Sequence, residues 1–240
     1  MVRYKIMSGT VYGIGVGPGD PELMTLKGAR LLSACPVIAY PAPETGDSLA
    51  RRIAAPHMPD DATEIIIRTP MSTDRFPAEE VYDRAATSIG EHLAAGRDVA
   101  VLCEGDPFFY GSFMYLFARL AEQWPVEVVP GVSSLMACAA TLGAPLAARN
   151  DVLTVLPAPL DDAILSDRLA GCDAAAIIKV GRHFGRVRAL LNNLGLAERA
   201  RYIERATMTE QRVVALDEVD SNSVPYFSMV LVHTRGAAWT

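Results

Sequence analysis

The chain has 240 residues and a mass of 25.8 kDa, which suits one large domain or two small ones. Half of its residues are hydrophobic and 21% are charged, a composition that excludes a mainly disordered chain. Because 28 acidic residues outnumber 22 basic ones, nucleic acid is not an expected partner. No apolar run reaches the about 18–20 residues of a membrane helix, so no membrane partner is expected either.

Cysteine and histidine usage predicts a cytoplasmic protein without a metal site. The cysteines, Cys35, Cys103, Cys138 and Cys172, each lie inside an apolar segment and none belongs to a C-x-x-C pair. Such residues are typical of reduced thiols in a protein core. The four histidines are scattered, with no spacing that would hold a metal ion. The first ten residues also lack the apolar core of a secretory signal.

Strand-like and helix-like segments alternate along the first half of the chain. The predicted strands are 11–16, 36–40, 64–67 and 98–103, and the predicted helices are 21–35, 48–55, 77–95 and 110–123. This alternation predicts an α/β domain with a mainly parallel sheet. Within the helix 77–95, Val81, Ala85, Ile89 and Leu93 form one apolar stripe. Asp20 is the predicted N-cap of the first helix.

The segment Gln123–Pro125 interrupts this pattern, and we place a domain boundary there, giving domains 1–123 and 124–240. The second half contains predicted strands 126–129, 152–156 and 174–180, helices 132–142, 161–170 and 185–193, and strands 201–204, 213–216 and 227–233. Because the last strands lack intervening helices, antiparallel pairing and a mixed sheet are expected. The fold class predicted is therefore two α/β domains with an active-site cleft between them.

A glycine-rich segment, Gly13–Asp20, lies between the first strand and the first helix. It is not a G-x-G-x-x-G dinucleotide fingerprint, because the sixth position is Pro18 or Asp20 in the two possible frames. It also lacks the Lys-Ser/Thr ending of a P-loop. Glycines there allow a ligand to approach the backbone, and a tight turn without a ligand is the alternative.

Two further segments follow predicted strands. Glu104–Phe113 reads EGDPFFYGSF, in which carboxylates can accept hydrogen bonds from an amine or a ribose and aromatic rings can cover a flat ring. An Asp-Pro turn beside core aromatics is the alternative. Pro130–Ser134 reads PGVSS, and its hydroxyls can cap a helix or bind a ligand over the helix terminus.

These three motifs, followed by Thr209–Val213, resemble in order and spacing the tetrapyrrole methyltransferases of cobalamin and sirohaem synthesis. The resemblance extends from Val11 to Val232. The string Glu104–Phe113 is most similar to the branch that methylates carbon 20 of precorrin-2. The resemblance implies that S-adenosylmethionine is the methyl donor, with S-adenosylhomocysteine as the product. It also implies a homodimer, donor binding between the two domains, and a tetrapyrrole, precorrin-2, as the substrate.

The resemblance also implies a set of site residues. Those that match the family's donor contacts are Pro18, Glu104, Gly105, Asp106, Phe109, Ser133, Ser134, Val180 and Ala206. Glu104 and Tyr110 are the catalytic candidates, because a proton must leave carbon 20 after methylation. Binding of the donor's amino group is the rival role for Glu104. The candidates for binding the substrate carboxylates are Arg51, Arg52, Arg68, Arg149, Lys179 and Arg182.

Several alternatives stay open. Uroporphyrinogen methyltransferases carry an aspartate where this chain has Pro41, which argues against a uroporphyrinogen substrate. A common Rossmann-like methyltransferase would usually have an acidic residue there too. A non-catalytic donor-binding regulator is disfavoured by the intact Glu104–Asp106 segment. The same motifs serve metal-free precorrin-2 and cobalt-factor II, and the resemblance favours the metal-free substrate.

Overall fold

A computed structural model describes residues 8–69 and 75–236 of the chain. In the second range, side chains are described from residue 79 onward. The chain divides into two compact units, Met1–Ser133 and Ser134–Thr240. Each unit holds one five-stranded sheet. Among the described residues, no helix is both long and apolar enough to cross a membrane.

The sheet of the first unit has the strand order β3-β2-β4-β1-β5, and all of its strand pairs are parallel. Its strands are β1 (Val11–Gly15), β2 (Val37–Pro43), β3 (Thr63–Thr69), β4 (Val99–Cys103) and β5 (Val126–Val129). Its helices are α1 (Leu26–Leu32), α2 (Leu49–Ala54), α3 (Arg75–Ala94) and α4 (Phe113–Leu120). The helices α1 and α2 cover one face of the sheet with an apolar core, and α3 and α4 cover the other.

The predicted helical stripe of α3 is confirmed, since Ala85, Ile89 and Leu93 are buried against the sheet. The predicted helix 21–35 is divided in the structure. A short 3₁₀ turn at Pro21–Leu23 is capped by Asp20, as predicted, and α1 then begins anew because the Thr25 hydroxyl accepts a hydrogen bond from the Gly28 N–H. A second cap within the predicted helix therefore separates the two pieces.

The sheet of the second unit has the order β6-β7-β10-β8-β9. Its strands are β6 (Leu153–Pro157), β7 (Ala174–Ile178), β8 (Ala200–Glu204), β9 (Arg212–Val214) and β10 (Ser228–His233), and its helices are α5 (Ser134–Leu142), α6 (Asp162–Ala170) and α7 (Phe184–Asn193). Only β6 and β7 pair in parallel. The predicted α/β class, with one mainly parallel sheet and one mixed sheet, is confirmed.

The boundary predicted between residues 123 and 124 precedes the division after Ser133. The reason lies in β5, which pairs with β1 and so belongs to the first sheet, although an interruption in the sequence precedes it. The active-site cleft implied by the resemblance stays a prediction. The four cysteines are buried free thiols, which agrees with their predicted place in the core.

Candidate functional site

Three glycine-containing loops follow the neighbouring strands β4, β1 and β5 of the first unit. We call residues 16–20 the first loop, residues 104–112 the second loop and residues 130–133 the third loop. Because β4, β1 and β5 are parallel and adjacent, their carboxyl ends lie at the same sheet edge. Ligands of open parallel sheets bind at this edge. The topology thus brings together three of the segments that the sequence singled out.

The backbones of the three loops approach so closely that side chains are excluded. A Cβ atom on Gly15 would lie 2.6 Å from the Gly105 carbonyl oxygen, and one on Gly131 would lie 2.1 Å from it. Gly17 and Gly105 also exchange backbone hydrogen bonds, of 2.8 Å from the Gly105 N–H and 3.3 Å from the Gly17 N–H. Glycine is therefore required at Gly15 and Gly131, where the backbones of adjacent segments pack directly against one another.

Asp106 joins the second loop to the third. Its Oδ1 accepts a hydrogen bond from the Phe108 N–H at 2.9 Å, and its Oδ2 accepts one from the Gly131 N–H at 3.1 Å. Charged acceptors of backbone N–H groups make stronger hydrogen bonds than neutral ones. Both carboxylate oxygens are thus committed to holding loop backbone.

Glu104 directly follows β4 and lies half-buried at the start of the second loop. Burial raises the pKa of its carboxyl group above the ordinary value, and hydrogen bonds from the backbone of Glu104 and Ala50 oppose this only partly. A carboxyl group with a raised pKa holds a proton more readily than an exposed one, a property of general acids and bases.

Aromatic side chains extend from the second loop into solvent. Phe109 and Tyr110 are 36% and 46% exposed, and their rings meet edge to face at 5.2 Å. Tyr110 has a φ of 56°, in the left-handed region that few residues other than glycine adopt. Because of this turn, α4 begins at Phe113 rather than at residue 110. The exposed rings can cover a flat ligand.

The remaining predicted residues of the edge are Pro18, Ser133 and Ser134. Pro18 is buried in the first loop. Ser133 ends the third loop and is half-buried, whereas Ser134 is exposed and is the first residue of α5. The carboxyl edge therefore brings together Pro18, Ser133 and the predicted site residues of the second loop.

The sequence model of the tetrapyrrole (corrin/porphyrin) methylases matches residues 10–220, which include all three loops. The chain belongs to this family. The family resemblance predicted from the motifs is thereby confirmed.

Three curated relatives of the chain are named for cobalamin biosynthesis or for methylation at carbon 20. Cobalamin biosynthesis protein CobIJ of Mycobacterium tuberculosis is 43% identical to this chain over 93% of the chain and 46% of that protein. The chain thus spans about half the length of the CobIJ relatives that it matches. Precorrin-2 C(20)-methyltransferase of a Sinorhizobium species is 40% identical, over 93% of this chain and 95% of that one. Cobalt-precorrin-2 C(20)-methyltransferase of Salmonella typhimurium is 33% identical, over 95% and 98%.

Two solved structures are similar to this chain. A cobalt precorrin-4 methyltransferase matches 97% of both chains with a TM-score of 0.71 and 24% identity, which supports the fold alone. A uroporphyrin-III C-methyltransferase from Thermus thermophilus, solved with S-adenosylhomocysteine, has a TM-score of 0.63 and 26% identity over 93% of this chain and 92% of that one.

Two of the predicted donor contacts lie in the second unit. Val180, just after β7, is fully buried in the core formed with α6 and α7. Ala206, just after β8, is 7% exposed and packs in the core beneath α5. Since both side chains are buried among core residues, the backbone is the part of each residue best suited to meet a ligand.

Arg51 and Arg68, two of the basic candidates, make hydrogen bonds within the first unit. The Arg51 guanidinium donates to both carboxylate oxygens of Glu64 at 2.7 Å, and the Tyr40 hydroxyl donates to the same carboxylate. Arg51 lowers the pKa of Glu64 through these hydrogen bonds. Arg68 donates to the Pro43 carbonyl oxygen at 2.8 Å. Arg51 thus joins α2 to β3, and Arg68 joins β3 to the end of β2. A role of either arginine toward substrate stays a prediction.

Sequence reasoning missed the residues that hold the loops in place. Asp106 accepts a hydrogen bond from the Gly131 N–H, 25 positions away in the sequence. The Asp-Pro turn was the only sequence feature that could have indicated this role. Gln211 also accepts a hydrogen bond from the Thr207 N–H at 2.7 Å in the second unit. The described residues contain no group of three or more His, Cys, Asp or Glu side chains that could hold a metal ion.

Proposed function

We propose that this methylase transfers a methyl group from S-adenosylmethionine to carbon 20 of precorrin-2, giving precorrin-3A in cobalamin biosynthesis. The observation that carries the proposal is the carboxyl edge of the first unit, where the glycines of three adjacent segments bring their backbones within contact distance of one another. The Sinorhizobium relative, similar over nearly the whole length of both proteins, supports the choice of carbon 20.

The residues of the edge fit such a donor. Its sulfonium is a cation, and backbone carbonyl oxygens of the loops can face the C–H groups beside it through weak hydrogen bonds. We assign the donor contacts to Pro18, Glu104, Gly105, Asp106, Phe109, Ser133, Ser134, Val180 and Ala206. When bound, S-adenosylmethionine supplies an electrophilic methyl group. The solved relative that contains S-adenosylhomocysteine supports this choice of donor.

The protein's own contribution is orientation, exclusion of water and proton transfer. Fixed loops hold reactants in line without a rearrangement during the reaction. We assign to Glu104 the acceptance of the proton that leaves carbon 20, because its half-buried carboxyl group has a raised pKa. Tyr110, exposed in the same loop, is the second catalytic candidate. The reduced, electron-rich macrocycle supplies its own nucleophilic carbon.

The second candidate function is the same methylation of cobalt-factor II. The Salmonella relative supports it, since its name specifies a cobalt-containing substrate. Both substrates share the carbon that is methylated and the ring of carboxylates, so the donor site is the same for both proposals.

Mass spectrometry of the product separates these functions. The protein is incubated anaerobically with S-adenosylmethionine and either precorrin-2 or cobalt-factor II. We expect precorrin-2 to gain one methyl group and cobalt-factor II to remain unchanged. A gain on the cobalt form alone would select the second candidate. Absence of a gain on both, with protein that binds the donor, would contradict methylation at carbon 20.

We further propose that the enzyme is a homodimer. Apolar side chains of the second loop and α4 are exposed, among them Phe108, Met114 and Tyr115 at 50%, 36% and 51%. A second copy of the chain would remove them from water. Light scattering should report a dimer, and Met114→Glu should shift it toward the monomer. A monomer at every concentration of the unchanged protein would contradict this proposal.

The cytoplasm is the proposed compartment. Four free and buried cysteines suit a reducing environment, in which thiols are not oxidised to disulfides. Fractionation of cells that produce the protein should recover its activity with the cytoplasmic enzymes, and recovery with secreted proteins would contradict the proposal.

A further inference from the structure

The loop that joins β8 to β9, residues 205–211, is closed by one of its own side chains. Gln211 Oε1 accepts a hydrogen bond of 2.7 Å from the Thr207 N–H. The Thr141 hydroxyl of α5 also donates to this oxygen, at 3.5 Å. Gln211 belongs to the late motif Thr209–Val213, whose part in the reaction the donor contacts do not explain.

The backbone that Gln211 holds is in an unusual conformation. Arg205 and Thr207, on either side of Ala206, have φ values of 49° and 68°. A β-branched residue such as Thr207 rarely adopts the left-handed region, so surrounding contacts must enforce it. The enforcing bonds include Arg205 N–H to the Phe227 carbonyl at 2.7 Å and Met208 N–H to the Arg205 carbonyl at 3.0 Å.

The strands on both sides of the loop are joined by a buried carboxylate. Glu204 is only 4% exposed, and its two oxygens accept hydrogen bonds from Arg212 Nη1 at 3.0 Å and from the Tyr202 hydroxyl at 2.5 Å. Glu204 and Arg212 are also partners in the β8–β9 register. The ends of the loop are therefore fixed independently of Gln211, which acts on the turn itself.

We propose that Gln211 is a positioning residue for the methyl donor. By accepting the Thr207 N–H, it holds the turn 205–207 so that the Ala206 backbone has the conformation that binds the donor. The Ala206 side chain is buried among core residues such as Ile203 and Met229, which leaves its backbone for this contact. The inference rests on the proposed function, in which Ala206 is a donor contact.

Two substitutions test the hydrogen bond with little change of volume. Gln211→Met removes the acceptor, and Gln211→Glu retains an oxygen that can accept the same N–H. For Gln211→Met we expect faster hydrogen exchange of the Thr207 amide and a donor Kd about five- to tenfold higher, the usual effect of one lost hydrogen bond. The kcat at saturating donor should stay within about twofold, since an effect on donor binding alone appears in KM.

The Gln211→Glu protein should keep both the slow hydrogen exchange of the Thr207 amide and the donor Kd of the unchanged protein. Thr209→Ala is the matched control, because the Thr209 hydroxyl donates to Glu210 Oε2 at 2.8 Å rather than to the turn. It should leave the Kd unchanged.

The outcomes are distinguishable by calorimetric titration with S-adenosylhomocysteine. A Gln211→Met protein that binds like the unchanged one, despite faster exchange at Thr207, would overturn the inference and leave the proposed function intact. The Gln211→Met protein could be too unstable to titrate, as a strongly lowered melting temperature would show. In that case the Gln211→Glu protein is titrated instead, and weakened donor binding by a folded Gln211→Glu protein overturns the inference. Failure of the unchanged protein to bind would overturn the proposed function and this inference together.

Discussion

Glu104 combines a place at the end of a buried strand with a carboxyl group whose pKa is raised by burial. A raised pKa of a carboxyl group makes the stability of the folded protein change with pH in a definite direction. The folded protein binds the proton more tightly than the unfolded chain, so the contribution of Glu104 to stability is fully present at low pH. That contribution is lost as the pH rises through the raised pKa. Above this raised pKa the ionised group opposes folding, as functional groups often do.

Glu104→Gln should accordingly lower activity without lowering stability. A neutral amide cannot accept the proton, so kcat should fall by about 10²–10⁴-fold. The melting temperature at pH 7 should equal or exceed that of the unchanged protein, and any gain should disappear at acidic pH. Stopped-flow kinetics and calorimetry measure the two effects. A kcat within about twofold of the original would remove Glu104 from catalysis.

Asp106→Asn tests the brace between the second and third loops. Both oxygens of Asp106 accept backbone N–H groups, and an amide offers only one oxygen, so either Phe108 or Gly131 loses its acceptor. We expect the free energy of unfolding to fall by about 1–3 kcal/mol, with weaker donor binding. Urea denaturation measures the first effect. The exposed Asp60 provides a control, Asp60→Asn, that should change neither quantity.

At the scale of elements, the order β4-β1-β5 determines the site, because it places three loops within contact distance at one edge. Local patterns predicted the strands and most helices, since alternation and apolar stripes are properties of short segments. The contact of Gly131 with Gly105 depends instead on which strands are neighbours, and no local pattern contains that information. The roles of Asp106 and Gln211 were missed for the same reason.

Gly131→Ala tests the close approach of the loops. The added Cβ would lie 2.1 Å from the Gly105 carbonyl oxygen, a backbone atom that cannot rotate away. We expect a loss of about 1–3 kcal/mol in the free energy of unfolding and strongly reduced donor affinity. Gly90→Ala in α3 is the control, since its nearest neighbour is a Trp124 atom at 3.6 Å. That change should stabilise the protein by about 0.5–1 kcal/mol. Equal donor affinity in both variants would contradict the role of the loop contact.

At the scale of the whole molecule, the chain pairs a parallel α/β unit with a mixed one, and the family's sequence model spans both. The order of motifs along the chain indicated this family because four segments matched at consistent spacing. The boundary between the units was harder to place, since β5 follows an interruption in the sequence yet belongs to the first sheet. Sheet membership depends on pairing between distant segments, which composition does not reveal.

The position of the transferred methyl group distinguishes methylation at carbon 20 from every other reaction of the family. Precorrin-2 is incubated with S-adenosylmethionine that carries ¹³C in its methyl group, and the product is analysed by NMR. We expect a single labelled methyl group attached to carbon 20 with the unchanged protein, and none with the Glu104→Gln protein over the same time. A labelled methyl group on any other carbon, or label that remains entirely in the donor with the unchanged protein, would contradict methylation at carbon 20.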